Sequence, residues 1–237
     1  MSILGSGAVA IWHDIVPEGR TQFYAWHGRE HMPERAAIPG FRRGRRYIAV
    51  DADLEFFNLY ETRDADVVRS DDYKARLDNP TPWTLSTVQY FRDVARSLCG
   101  VAFSSGGGDG GLMATLRYSV DGTDEPAHLA AMTGDVLPAL AEAEGIAGVH
   151  LLVADMEASG YVNAEQKARG ARNDVPRFVL LVEGWGDEAA FAEALKEGDF
   201  SGRLAGAGVA ASQKLGIYRH QVTIARQEVR AAGWHNA

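Results

Sequence analysis

Two stretches of this chain carry the same succession of hydrophobic periods, and nothing else in the sequence limits the fold as tightly. In the first, "AVAIWHDIV" (8–16) alternates as a strand and 20–36 reads as a helix. "GRRYIAVD" (44–51) and "LEFFNLYET" (54–62) are strands joined by a short turn. A helix over 64–79 follows, with Asp64 as its N-cap, then a Pro-rich loop, a further helical piece and a strand closing at 104. In the second stretch, "LMATLRYSV" (112–120) is a strand and 125–145 a helix ending on glycine. "AGVHLLVAD" (147–155) and "RFVLLVEGW" (177–185) are strands, 187–198 is a helix, and "LGIYRHQVTIA" (215–225) closes as a strand. Between the two lies "SSGGGDGG" (104–111), whose glycines have the backbone freedom of a tether. No Lys-Ser or Lys-Thr follows them, so a phosphate loop is a poor reading. The expected division is a first repeat over 1–104, a linker over 105–111, a second repeat over 112–228 and a tail over 229–237.

Strand–helix–strand–strand–helix–strand is the ferredoxin-like order, here written twice, which makes the fold class α+β. Setting Pro33 over Pro138 also places Gly40 over Gly145 and Phe41 over Ile146, and Glu61 falls over Glu183 between "NLYETRDAD" and "LLVEGWGDE". A four-stranded sheet with helices on one face leaves the other face apolar and bare. Two such sheets in one chain can cover each other sheet to sheet, as an intramolecular α+β barrel.

Composition narrows the partners. The 237 residues are 46% hydrophobic and 24% charged, a soluble globular profile, and carry a formal net charge of −8. That balance opposes nucleic-acid binding. No window reaches the apolar length of a membrane span, and "MSILGSGAVAIWHD" has no signal-peptide pattern, so no membrane is expected and the location is expected to be cytoplasmic. A single cysteine, Cys99, leaves no disulfide framework, and with no base beside it in the sequence it is a poor nucleophile.

The halves differ where chemistry would sit. In the Pro33/Pro138 frame Trp26, His27 and His31 stand over Ala131, Met132 and Val136. The first helix has exchanged core residues for aromatic and imidazole groups, so the pocket is expected in the first repeat and a mainly structural role in the second. "HGREH" (27–31) matches the H-x-x-E-H zinc pattern, but Pro33 and Gly40 shorten the helix and no third ligand follows, so no metal is expected. His27 reads as a packing or substrate-binding residue. His31, two residues before a proline that loosens the helical ladder, is the better catalytic candidate. Strand alternation sends Trp12 and His13 to opposite faces, and His13 would share the face of Ile11 and approach His31. "FRRGRRY" (41–47) is either an anion-holding run or a solvated strand edge, with Arg45 and Tyr47 on one face and Arg46 on the other. Tyr60 either donates to a substrate oxygen or is a core aromatic. Trp83, in a Pro-flanked loop, is a candidate lid. His150 and His220 read as structural.

"FYAWHGREHMPERAAIPGF" (23–41) resembles the helix-one signature of the EthD-like proteins, members of the dimeric α+β barrel superfamily. The residues that carry it are Phe23, Tyr24, His31, Pro33, Pro39 and Gly40. The resemblance spans about the first 100 residues, and the second half follows only in order of elements. It implies the fold, and a small aromatic or polyketide-like substrate. Three functions stay open. One is a cofactor-free enzyme in which His31, His13 and Tyr60 move a proton, giving an isomerase, lyase or monooxygenase. There Trp12, Tyr24, Trp26, His27, Arg46, Tyr47 and Trp83 would hold the substrate. Another is haem use through His31 or His220, which the superfamily implies. The third is a barrel that only binds its ligand. A homodimer is also open, because outer helix faces remain available.

Overall fold

Alternation along each strand sorts its side chains between two environments, and a computed structural model shows both; it describes residues 3–120, 124–196 and 199–226. The strands are β1 (Gly7–Ile15), β2 (Phe41–Asp51), β3 (Phe56–Thr62), β4 (Phe91–Gly106), β5 (Leu112–Tyr118), β6 (Ile146–Ala154), β7 (Phe178–Gly184) and β8 (Lys214–Ala225). They close into one barrel in the order β1-β3-β2-β8-β5-β7-β6-β4, every pairing antiparallel. Each repeat contributes four neighbours in the ferredoxin-like order, and β2–β8 and β4–β6 are the hydrogen-bonded seams. The fold is thus the α+β barrel expected from two sheets, with the edges of each sheet consumed by the other.

Inside the barrel Ala8, Ala10 and Trp12 of β1 meet Tyr47, Phe57 and Tyr218. Trp12 stacks on Phe57 at 4.9 Å, and its indole N–H donates to Thr115 Oγ1 at 3.1 Å, tying the halves across the interior. Burying such aromatics stabilises the closure by roughly 1.5–3 kcal/mol each. One end of the interior is ionic. Arg45 lies between Glu61 (2.8 Å) and Glu183 (2.9 Å), while the backbone N–H of Leu4 caps Glu61 and that of Gly110 caps Glu183. Burial alone would raise the Glu183 pKa, but the hydrogen bond from His150 and the Arg45 charge hold it at about 2.

Two expectations are corrected here. The arginine run is no solvated edge: β2 pairs with β8, and only Arg42 of the run is exposed. Nor is 104–111 a free tether. Ser104, Ser105 and Gly106 belong to β4, Asp109 pairs with Arg43, and Gly110 is bound to Glu183. The tail proposed for 229–237 lies outside the described residues.

Helices cover the outer faces. The first crossover is α1 (Arg20–Trp26), a π turn (His27–His31) and α2 (Met32–Ala37). Pro33 has no N–H for the Arg29 carbonyl, so the ladder widens upstream and Met32 N–H reaches the His27 carbonyl instead. The second repeat does the same before Pro138, with α5 (Glu125–Ala131), a π turn (Met132–Val136) and α6 (Leu137–Ala141). The matched Gly40 and Gly145 both have positive φ, 93° and 79°, at the turn into the next strand. In the first repeat a 3₁₀ turn (Ala65–Arg69), α3 (Asp71–Asp78) and α4 (Pro82–Val88) complete the layer. Asp64 caps the 3₁₀ turn rather than a continuous helix.

The sequence assigns no element to 156–176. The structure places α7 (Met156–Ser159) and α8 (Ala164–Arg169) there, an excursion of the β6–β7 connection. α9 (Glu188–Lys196) and α10 (Asp199–Gly206) finish the second layer. No helix among the described residues is long and apolar enough to cross a membrane.

Candidate functional site

The outward residues of β1 and β3 form the floor of a cavity under the first helical layer. Val9 pairs with Tyr60 and Ile11 with Asn58, and His13 continues the row. Trp26, His27 and His31 form the wall from the crossover, and Arg96 enters from β4. Part of the wall is supplied by the second repeat: Asn163, which caps α8, Glu165, Gln166 and Arg169 within it, and Asn173 after it. The empty space between these walls, open mouth included, is about 750 Å³.

The three imidazoles are buried and electrically neutral, each for a traceable reason. Desolvation pulls the His13 pKa down to about 3 against the opposing hydrogen bond to the Asp14 carbonyl, with smaller contributions from Arg169 and Arg46 adding to the fall. Burial and then Arg46 depress His27; burial and then Arg35 depress His31. Burial keeps the Tyr60 hydroxyl protonated.

The hydrogen bonds assign the tautomers. A guanidinium can only donate, so His27 Nδ1, 3.2 Å from Arg46 Nη1, accepts. The His27 proton then sits on Nε2, 3.4 Å from Tyr60 Oη, and donates there. Tyr60 accepts that bond and keeps its own proton for another acceptor. His13 donates from Nδ1 to the Asp14 carbonyl at 3.4 Å and accepts from Asn58 Nδ2 at 3.1 Å, so both its nitrogens are engaged. That leaves Asn58 Oδ1 without a partner among the described residues. His31 is held by stacking, 4.3 Å from Trp26 and 5.4 Å from His27, and its Nδ1 has no hydrogen-bond partner.

Of the sequence-predicted residues, His13, Trp26, His27, His31 and Tyr60 come together around this cavity. Trp12 and Tyr47 do not: alternation turns both into the barrel interior. Tyr24 and Arg46 sit behind His27, the guanidinium 4.8 Å from the Tyr24 ring, as support rather than lining. Trp83 packs on the Phe23–Trp26 cluster and is not the lid; α8 takes that place. His150 pairs with Glu183 in the ionic interior, and His220 bonds Thr223 beside Tyr47, both away from the cavity. Glu30 is bound by Thr81 and Thr84, and no group of His, Cys, Asp or Glu suited to a metal forms among the described residues. The Cys99 thiol is buried and its pKa raised by that burial.

Sequence reasoning missed Arg35, Arg96, Arg169 and the rest of the α8 wall. Signals for α8 were present: Asn163 caps its N-terminus and Gly170, with φ 79°, ends it. That this helix crosses to the other repeat had no local signal.

At the matched positions of the second repeat the cavity is apolar. Ala114, Leu116, Leu180 and Val182 stand where the first has Val9, Ile11, Asn58 and Tyr60.

No family model and no curated protein matches the chain. Solved structures do. An anthrone oxidase-like protein aligns with a TM-score of 0.61 at 14% identity, over 93% of this chain and 92% of that one. A putative monooxygenase from Lactobacillus acidophilus gives 0.56 at 9%, over 93% and 97%. A putative chlorite dismutase gives 0.54 at 11%, over 97% and 99%. The chain shares the closed α+β barrel fold of these structures. At these identities the likeness of the barrels is one of fold.

Proposed function

We propose that this barrel is a small-molecule enzyme that removes a proton from a flat aromatic or carbonyl-bearing substrate. The observation that carries the reading is the wall shared by His31 and Tyr60, rings 6.3 Å apart, one with an unpartnered nitrogen and the other with a free hydroxyl proton. His31, kept neutral by burial, accepts a proton from a substrate carbon. The electron pair left behind moves onto the substrate oxygen, and Tyr60 donates to that oxyanion. His13 positions Asn58 rather than carrying a proton, because both its nitrogens are engaged. A resonance-stabilised carbanion of this kind is where an isomerase, a lyase and a cofactor-free oxygenase begin alike. The anthrone oxidase-like and monooxygenase neighbours favour the oxygenase end.

The test is proton exchange at C10 of anthrone, followed by NMR in deuterated buffer. Wild-type protein is expected to accelerate it, and His31→Ala to abolish the acceleration with Tm little changed. If His31→Ala only lowers Tm and exchange persists, the histidine is structural and the reading fails.

Haem is the second reading, favoured by the same spare nitrogen: His31 is the imidazole that would serve as axial ligand, since His13 and His27 are engaged and His220 lies elsewhere. Haem there would supply redox chemistry. A Soret band on titration with haemin, lost in His31→Ala, identifies it.

A further inference from the structure

The charge of the cavity wall is opposite to that of the protein. In a chain of net charge −8, the lining holds Arg35, Arg96 and Arg169 against one carboxylate, Glu165, and its histidines are neutral. Arg35 is paired with that carboxylate and lies 3.8 Å from Glu34. Arg96 and Arg169 form no ion pair among the described residues. Arg96 is buried and bonds the Tyr73 hydroxyl at 2.7 Å; Arg169 bonds the Asn173 side chain and the Ala171 carbonyl, and its Nε has no partner. Burial and then Arg96 disfavour the Arg169 charge, with Glu165 opposing them. Two like guanidiniums lining one cavity, both hydrogen-bonded only to neutral oxygens, repel each other until an anion lies between them.

We propose that Arg96 and Arg169 form a carboxylate subsite, and that the ligand of this cavity is a small aromatic acid with its ring against Val9, Ile11, Val94 and Phe91. This rests on reading the cavity as the substrate site and specifies the class of molecule it takes. The guanidinium fork matches a carboxylate in two parallel hydrogen bonds, and the apolar floor takes the ring. The two arginines belong to different repeats, Arg96 to β4 and Arg169 to α8. Backbone bonds tie β4 to the segment that follows α8: Arg96 N–H donates to the Asp174 carbonyl at 2.8 Å, and Asp174 N–H to that of Val94 at 3.0 Å. The second repeat therefore completes the site of the first.

Calorimetric titration with benzoate, benzamide, acetate and inorganic phosphate tests this. Benzoate is expected to bind at least ten-fold more tightly than benzamide, acetate or phosphate, and more weakly as salt rises. Arg96→Gln and Arg169→Gln should each weaken benzoate ten-fold or more and leave benzamide unchanged. Arg169 lies on a partly exposed helix, so its variant tests the proposal even if Arg96→Gln fails to fold. Equal binding of benzamide and benzoate, tighter binding of phosphate, or undiminished benzoate binding in Arg169→Gln overturns the carboxylate subsite. If benzamide binds and His31-dependent exchange of anthrone persists, the catalytic reading survives that failure. If benzoate needs both arginines and no exchange occurs, the subsite stands and the catalytic reading falls.

Discussion

At the scale of single residues, Arg46, His27 and Tyr60 act as a relay of orientation. Arg46 fixes the His27 tautomer, and His27 directs the Tyr60 lone pair inward to protein and its proton outward. None of the three needs to change charge for this to work, which suits a site whose burial penalises charge. Tyr60→Phe removes the proposed oxyanion donor and leaves His27 Nε2–H without its Tyr60 partner. Exchange is expected to fall about 10²–10³-fold, with a stability loss of about 1–3 kcal/mol. Kinetics beside urea unfolding of the same variant separate the two effects; a loss of stability alone would make Tyr60 a core aromatic. The identities of His31 and Tyr60 were legible in the sequence because residue type and period placed them. Arg96 was not, since the α8 residues that line the cavity with it lie far along the chain.

At the scale of elements, the π turn is set by proline and not by the histidines. Both repeats widen at the same distance before Pro33 and Pro138, yet only the first has imidazoles there. The backbone feature thus belongs to the duplicated unit, and the first repeat uses it to carry His27 and His31. Pro33→Ala restores an N–H for the Arg29 carbonyl, lets the helix regularise and turns the two rings away from Tyr60. Exchange is expected to fall at least ten-fold with undiminished helical circular dichroism, while Pro138→Ala leaves exchange unaltered. Equal effects of the two substitutions would sever the π turn from the site.

At the scale of the molecule, the closed barrel stores polar groups that open solvent would treat differently. His13, His27 and His31 have pKa values below their unfolded value near 6.5, reaching about 3 for His13. The unfolded chain therefore binds more protons between those values, and stability falls as pH drops below 6.5. Each histidine adds up to about 1.4 kcal/mol per pH unit. Urea unfolding between pH 7.5 and pH 5 should show this slope, and His31→Gln should reduce it by one group's share; a flat profile would mean that the rings are hydrated. The ionic end of the interior is a second test. Glu183→Gln removes one of the three carboxylates around Arg45, beside Glu61 and Asp109, and is expected to cost roughly 3–5 kcal/mol. A loss within 0.5 kcal/mol would place Glu183 in contact with water.

The sequence by itself determined the two repeats, the order of their strands and the residue types of the first crossover, because hydrophobic period and proline act over a few residues. Only the tertiary structure decided that Arg45 faces into the barrel, that Trp12 and Tyr47 leave the site, and that α8 of one repeat helps wall the cavity of the other. Those outcomes depend on which strand closes against which and on charges brought together from distant positions. Local periodicity carries no record of such pairings.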